Sequence, residues 1–125
     1  MATWQEVKQY IYGNYKVAQD DDHTIQLNFN TKPGRSQRVI LMYVGESAIW
    51  ISSPIGLASQ VDANRLLQLT DGGGLMGVKE IGGMYVTSAV IPLADLSIQE
   101  LETPMHWAYE EADEYEQALG LGDRL

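Results

Sequence analysis

Residues 24–52 read TIQLNFNTKPGRSQRVILMYVGESAIWIS, and this stretch decides the fold. Ile25, Leu27 and Phe29 alternate with Gln26, Asn28 and Asn30. Successive strand side chains leave opposite faces, so 24–30 reads as a strand with one wet face. Pro33-Gly34 makes a turn: proline presets the first central residue and glycine accepts positive φ at the second. Residues 38–44 form a second strand that is apolar on both faces. Gly45-Glu46-Ser47 turns the chain again. Residues 48–52 return as a third long strand, with Ile49 and Ile51 on one face and Trp50 on the other. Three strands joined by tight turns are an antiparallel meander.

Upstream, Thr3 and Glu6 form a T-x-x-E capping box that starts a helix over 3–12. Trp4, Val7 and Ile11 make its apolar stripe, and Gly13 is the expected left-handed stop. Residues 15–19 read as a short strand. Asp20-Asp21-Asp22 reads as a turn, since Asp hydrogen-bonds its own backbone. Downstream, Pro54 and Gly56 are expected to close the meander, because proline cannot donate to a ladder. Ser59 and Asp62 suit a helix start, Val61, Leu66, Leu67 and Leu69 supply its apolar positions, and Asp71-Gly72-Gly73-Gly74 ends it. Residues 75–81 and 84–91 form a hairpin around Gly82-Gly83. Ser97 and Glu100 begin a short helical turn, and Thr103-Pro104 restarts the helix with a cap followed by proline. Met105, Ala108, Ala112, Tyr115 and Leu119 then form one seam, while Glu110, Glu111, Asp113 and Glu114 fall away from it as a solvated face. The expected fold is α+β, an antiparallel sheet of about five or six strands with three helices in the order α-ββββ-α-ββ-α. It makes a single domain over 1–125, without repeat, low-complexity tract or linker.

Composition supports a folded domain and narrows its partners. The chain has 125 residues, 45% hydrophobic and 20% charged, enough to build a core without a disulfide or metal. Cysteine is absent, which excludes disulfides, thiolate catalysis and Cys-based metal sites. The net charge is −9 and very uneven: residues 1–94 hold eight acids and seven bases, and residues 95–125 hold nine acids and Arg124 alone. An acidic C-terminal quarter argues against nucleic acid and anionic membrane as partners. That exclusion is firmer for the last helix than for the sheet, where Lys32, Arg35 and Arg38 cluster around one turn. The apolar run 39–44 is far too short to span a bilayer and the opening residues lack signal-peptide character, so a cytoplasmic protein is expected.

No motif carries catalysis. Gly72, Gly74 and Gly77 satisfy G-x-G-x-x-G, but a helix precedes them and a strand follows, so the negative helix end faces the loop and a phosphate is disfavoured. Asp20 to Asp22 lack the alternating oxygens and the glycine of a calcium loop, and His23 and His106 sit in no metal motif. Ser47 lacks the nucleophile-elbow context. Neither a cofactor nor a metal is expected, and the chain is read as a non-enzyme.

What stands out is surplus apolar surface. Three helices cover one sheet face, yet strands 38–44, 48–52 and 84–91 are apolar on both. Part of the other face therefore needs a cover, as a binding or oligomer surface. Met42 and Trp50 are the candidates there. Trp107 lies about 120° off the last helix's seam, and reads as an interface residue or as a contact to the Thr103-Pro104 restart.

The order of elements, together with Trp4-Gln5-Glu6-Val7, Ile25-Gln26-Leu27-Asn28-Phe29, Leu69-Thr70-Asp71-Gly72-Gly73-Gly74, Pro92-Leu93 and Leu96-Ser97, resembles the type III secretion chaperone-like fold. Within it the chain is most similar to YbjN-type proteins, described as regulators of bacterial sensory transduction. The resemblance implies a non-enzymatic homodimer that holds an extended protein segment on apolar surface and sheet edges. It implies a dimer contact in the second helix region, at Val61, Leu66 and Leu67. The expected function is thus a protein-binding module, chaperone-like or regulatory, acting on a protein client or partner. The alternative is a small-ligand sensor or an enzyme with its pocket between the sheet and the C-terminal helix.

Overall fold

The computed structural model describes residues 2–71, 74–94 and 96–121. The meander forms as the sequence predicts and is longer at both joints. Strand β2 (Thr24–Lys32) and strand β3 (Arg35–Val44) meet at Pro33-Gly34, where Gly34 takes φ 77°. A side chain there would be strained, so glycine is what lets the two strands register directly. Ile25 then pairs Leu41 and Leu27 pairs Val39, placing four apolar side chains on one face.

Strand β4 (Ala48–Leu57) continues the row with Ile51 opposite Leu41. It does not stop at Pro54. The β3–β4 ladder runs only from Ala48 to Ser52, so beyond it β4 is an edge on that side. The Pro54 carbonyl, which points the same way as its nitrogen, accepts from Gln37 Nε2 at 2.6 Å. A missing amide costs no ladder bond at such a site, and a bulge between Pro54 and Gly56 absorbs the irregularity. Strands β5 (Gly77–Ile81) and β6 (Met84–Pro92) form the hairpin, with Gly82 and Gly83 at φ 56° and 80°. Strand β1 (Val17–Asp20) pairs β2, giving a six-stranded antiparallel sheet in the order β1-β2-β3-β4-β6-β5.

Helix α1 (Trp4–Asn14) is capped by Thr3, whose hydroxyl accepts from Glu6 N and donates to the Glu6 carboxylate. It passes through Gly13 without a left-handed turn and ends at Tyr15, which is extended and donates to Ile11 O. Helix α2 (Ala63–Thr70) starts on Asp62, whose carboxylate accepts from Asn64 N and Arg65 N. The C-terminal helix does not restart at Thr103-Pro104. A 3-10 turn, Ile98–Leu101, runs straight into helix α3 (Glu102–Ala118). Pro104 falls in the first turn, where amides have no helical acceptor, so it breaks nothing.

The inward residues of β2, β3 and β4 share one cluster with Val7 and Ile11 of α1 and Met105 and Ala108 of α3. Burying each such aliphatic side chain stabilises the fold by about 1.5–3 kcal/mol. A second cluster joins Leu66 of α2 and Val61 to Ile55, Ala112 and Tyr115. Thr87, buried on β6, donates to Ala108 O at 2.9 Å and ties the sheet to α3. The helices therefore pack on the same side of the sheet.

Candidate functional site: the uncovered sheet face

Because Ile25, Leu41, Ile49 and Ile51 point at the helices, their strand neighbours point away. One row across this outer face runs Thr24, Met42, Trp50, Val90, each paired with the next. The row beside it runs Gln26, Ile40, Ser52, Ser88. Ile40, Met42, Trp50 and Val90 belong to neither core cluster, and Val90 is 59% exposed. Trp50 is held in place: its Nε1 donates to Ser88 Oγ at 2.8 Å, and Lys79 Nζ of edge strand β5 stands 5.1 Å from its ring centroid. A cation over an indole face is attracted by the ring quadrupole. Among the described strand positions on this face the charged residues are Arg38 and Lys79, and no carboxylate accompanies them.

The structure brings Met42 and Trp50 together as a direct cross-strand pair. The residues expected at a second-helix interface separate. Val61 and Leu66 are buried in the chain's own second cluster, because Leu66 faces α3 and leaves no surface for a partner. Leu67, one residue on and about 100° around the helix, is 61% exposed. Trp107 is 37% exposed on α3, and since the helix is continuous there it has no restart to contact.

The acidic face of α3 is not uniformly solvated. Asp113 and Glu116 are 2% and 1% exposed, and Arg35 of β3 reaches both, Nε to Asp113 Oδ1 at 2.8 Å and Nη2 to Glu116 Oε2 at 3.1 Å. Gln117 Nε2 also donates to Asp113 Oδ2 at 2.8 Å. Glu111 accepts from the backbone amides of Leu75 and Met76 at 3.0 and 3.1 Å, fastening the loop before β5. The available sequence signal was spacing: Asp113 and Glu116, three apart, share a helix face. Asp21 behaves as a turn residue, its carboxylate accepting from His23 N at 2.9 Å. Gly72 of the glycine motif lies outside the described residues. No described helix is long and apolar enough to cross a membrane.

Between the sheet and the C-terminal helix, where the small-ligand alternative needs a pocket, lies a cleft of about 330 Å³ lined by Tyr15, Phe29, Glu102, Thr103, Met105, His106 and Tyr109.

No protein-family model matches the chain, and no curated protein does. Among solved structures it is similar to a chain of the HopA1–SchA chaperone–effector complex, with a TM-score of 0.57 and 17% identity over 90% of this chain and 88% of that one. The two chains share a fold. In this chain it is α+β, a six-stranded sheet with three helices in the order α-ββββ-α-ββ-α.

Proposed function

We propose that this chain is a cytoplasmic, YbjN-type, secretion-chaperone-like binding module that is not an enzyme. It holds an extended protein segment on the outer sheet face and works as a homodimer. The observation that carries the reading is the outer face itself, where Ile40, Met42, Trp50 and Val90 form an apolar patch left uncovered by the helices. Such a patch in a soluble domain marks an interaction surface. Arg38 and Lys79 at its margins favour segments that carry carboxylates beside apolar residues. Leu67 supports a dimer contact on α2, with Val61 and Leu66 fixing the helix from beneath. Trp107 is a separate exposed aromatic on α3 and a secondary contact in this reading.

The test uses reduced, carboxymethylated α-lactalbumin, a permanently unfolded and acidic chain, as client. The wild type binds it, and the Met42→Asp/Trp50→Asp variant binds at least tenfold more weakly with an unchanged circular dichroism spectrum. Equal binding by the variant, or none by the wild type, refutes the client reading. Sedimentation equilibrium at micromolar concentration tests the dimer: Leu67→Asp gives a folded monomer, and a monomeric wild type removes this part of the proposal.

A further inference from the structure

We propose that the cleft between β2 and the first turns of α3 is a binding site for a quaternary ammonium group. The inference is independent of the outer sheet face. The cleft's walls are aromatic and stand in two perpendicular orientations. Phe29 and Tyr109 stack with centroids 4.4 Å apart and planes 11° apart. Tyr15 meets Phe29 at 71°, and His106 meets Tyr109 at 87°. All four rings line the one cleft, and aromatic side chains lining a volume attract an organic cation through their quadrupoles. The volume, about 330 Å³, is that of a small-ligand site.

Charge selects the sign of the ligand. Glu102 is a lining residue, and no Lys or Arg is among the lining set. His106 Nε2 lies 3.0 Å from Glu110, so an imidazolium there already has its counter-ion. An anion would face the Glu102 carboxylate.

Hydrogen-bond capacity selects the kind of cation. Glu102 Oε1 accepts from the Tyr10 hydroxyl and, at 3.2 Å, from the Tyr15 hydroxyl. Burial and the Glu102 charge push the Tyr15 phenol up to about 12, so it stays a donor at physiological pH. The two phenols fix the carboxylate and occupy one of its oxygens. The Tyr109 hydroxyl is likewise paired with His106 Nδ1 at 2.8 Å, so part of the acceptor capacity that the three N–H donors of a primary ammonium need is already engaged. A quaternary ammonium has no donor to satisfy and needs only the negative field and the ring surfaces.

The group has two chemical sources, a free small molecule or a trimethylated lysine side chain. The experiment titrates the full chain with choline, with ethanolamine as its primary-ammonium counterpart, and with a short peptide with and without trimethyllysine, by calorimetry and proton NMR. The expected result is saturable choline binding with methyl resonances shifted upfield by the rings, and ethanolamine at least tenfold weaker. Phe29→Leu and Glu102→Gln should each weaken choline at least tenfold, about 1.4 kcal/mol, while Met42→Asp/Trp50→Asp leaves it unchanged. Choline binding matched or exceeded by the trimethyllysine peptide assigns the site to a modified protein; choline without the peptide assigns it to a metabolite. No choline binding by the wild type, equal binding of ethanolamine, or an unaltered affinity in Glu102→Gln, a surface change that spares the core, overturns the proposal.

Discussion

Replacing Arg35 with methionine removes the cation that two buried carboxylates share and keeps most of the aliphatic stem. Asp113 and Glu116 have side chains 3% and 1% exposed, and they meet Arg35 at 2.8 and 3.1 Å. Breaking a buried ion pair from one side costs about 3–5 kcal/mol, because the carboxylates lose their cation in a poorly solvated place. Domains of this kind have about 5–15 kcal/mol in all, so the loss is a large share. At about 4 °C per kcal/mol for a chain of this length, Arg35→Met should melt about 12–20 °C below the wild type. Urea unfolding followed by tryptophan fluorescence measures the difference directly. The triple variant Arg35→Met/Asp113→Leu/Glu116→Met removes both the cation and the charges it balances, and should recover most of the loss, since well-packed apolar substitutes for buried ion pairs are often neutral. An Arg35→Met variant within about 1 kcal/mol of wild type, or a triple variant no more stable than the single one, refutes this reasoning.

Asp62→Ala removes the carboxylate that accepts from Asn64 N and Arg65 N, and should cost about 1 kcal/mol in urea unfolding, with Asp62→Ser recovering most of it. Gly74→Ala would place a Cβ 2.5 Å from Tyr115 Oη and 2.7 Å from Glu111 Oε1. It should displace that carboxylate from the Leu75 and Met76 amides and lower stability by about 1.5–3 kcal/mol, matching Glu111→Ala and adding little to it. Burial, then Glu102, raises the Tyr15 phenol to about 12, whereas an unfolded tyrosine ionises near 10. The folded chain thus keeps a proton that the unfolded chain has lost. Its stabilising effect is complete below about pH 10 and disappears as pH rises through about 12, so unfolding in urea should become easier between about pH 10 and about pH 12, and less steeply so in Tyr15→Phe.

Local chemistry made the sheet legible. Period-2 alternation in Ile25, Leu27 and Phe29, the Pro33-Gly34 turn and the Gly82-Gly83 pair each fix backbone geometry within a few residues. Met42 and Trp50 both read as apolar surface residues, and the register makes them direct cross-strand neighbours. Where the sequence reading missed, the deciding partner lay far away in the chain. Pro54 looks like a strand end until the β3–β4 ladder is seen to end at Ser52 and the Gln37 side chain to take the Pro54 carbonyl. Thr103-Pro104 looks like a helix start until the 3-10 turn arrives already in helical register. Leu66 and Leu67 are equivalent as letters, and only the position of α3 sends one inward and the other to water.

The sequence by itself determined the order of elements and the surplus of apolar strand positions, because turn residues and hydrophobic period act over short range. Only the tertiary structure decided which carboxylates are buried, which sheet face stays open and where aromatic rings converge with Glu102. Arg35 meets Asp113 and Glu116 across 78 and 81 residues, and Tyr15 meets Glu102 across 87. Folding buries Asp113 and Glu116 against Arg35 on the helical side, and on the uncovered face it leaves two cations and a row of apolar side chains.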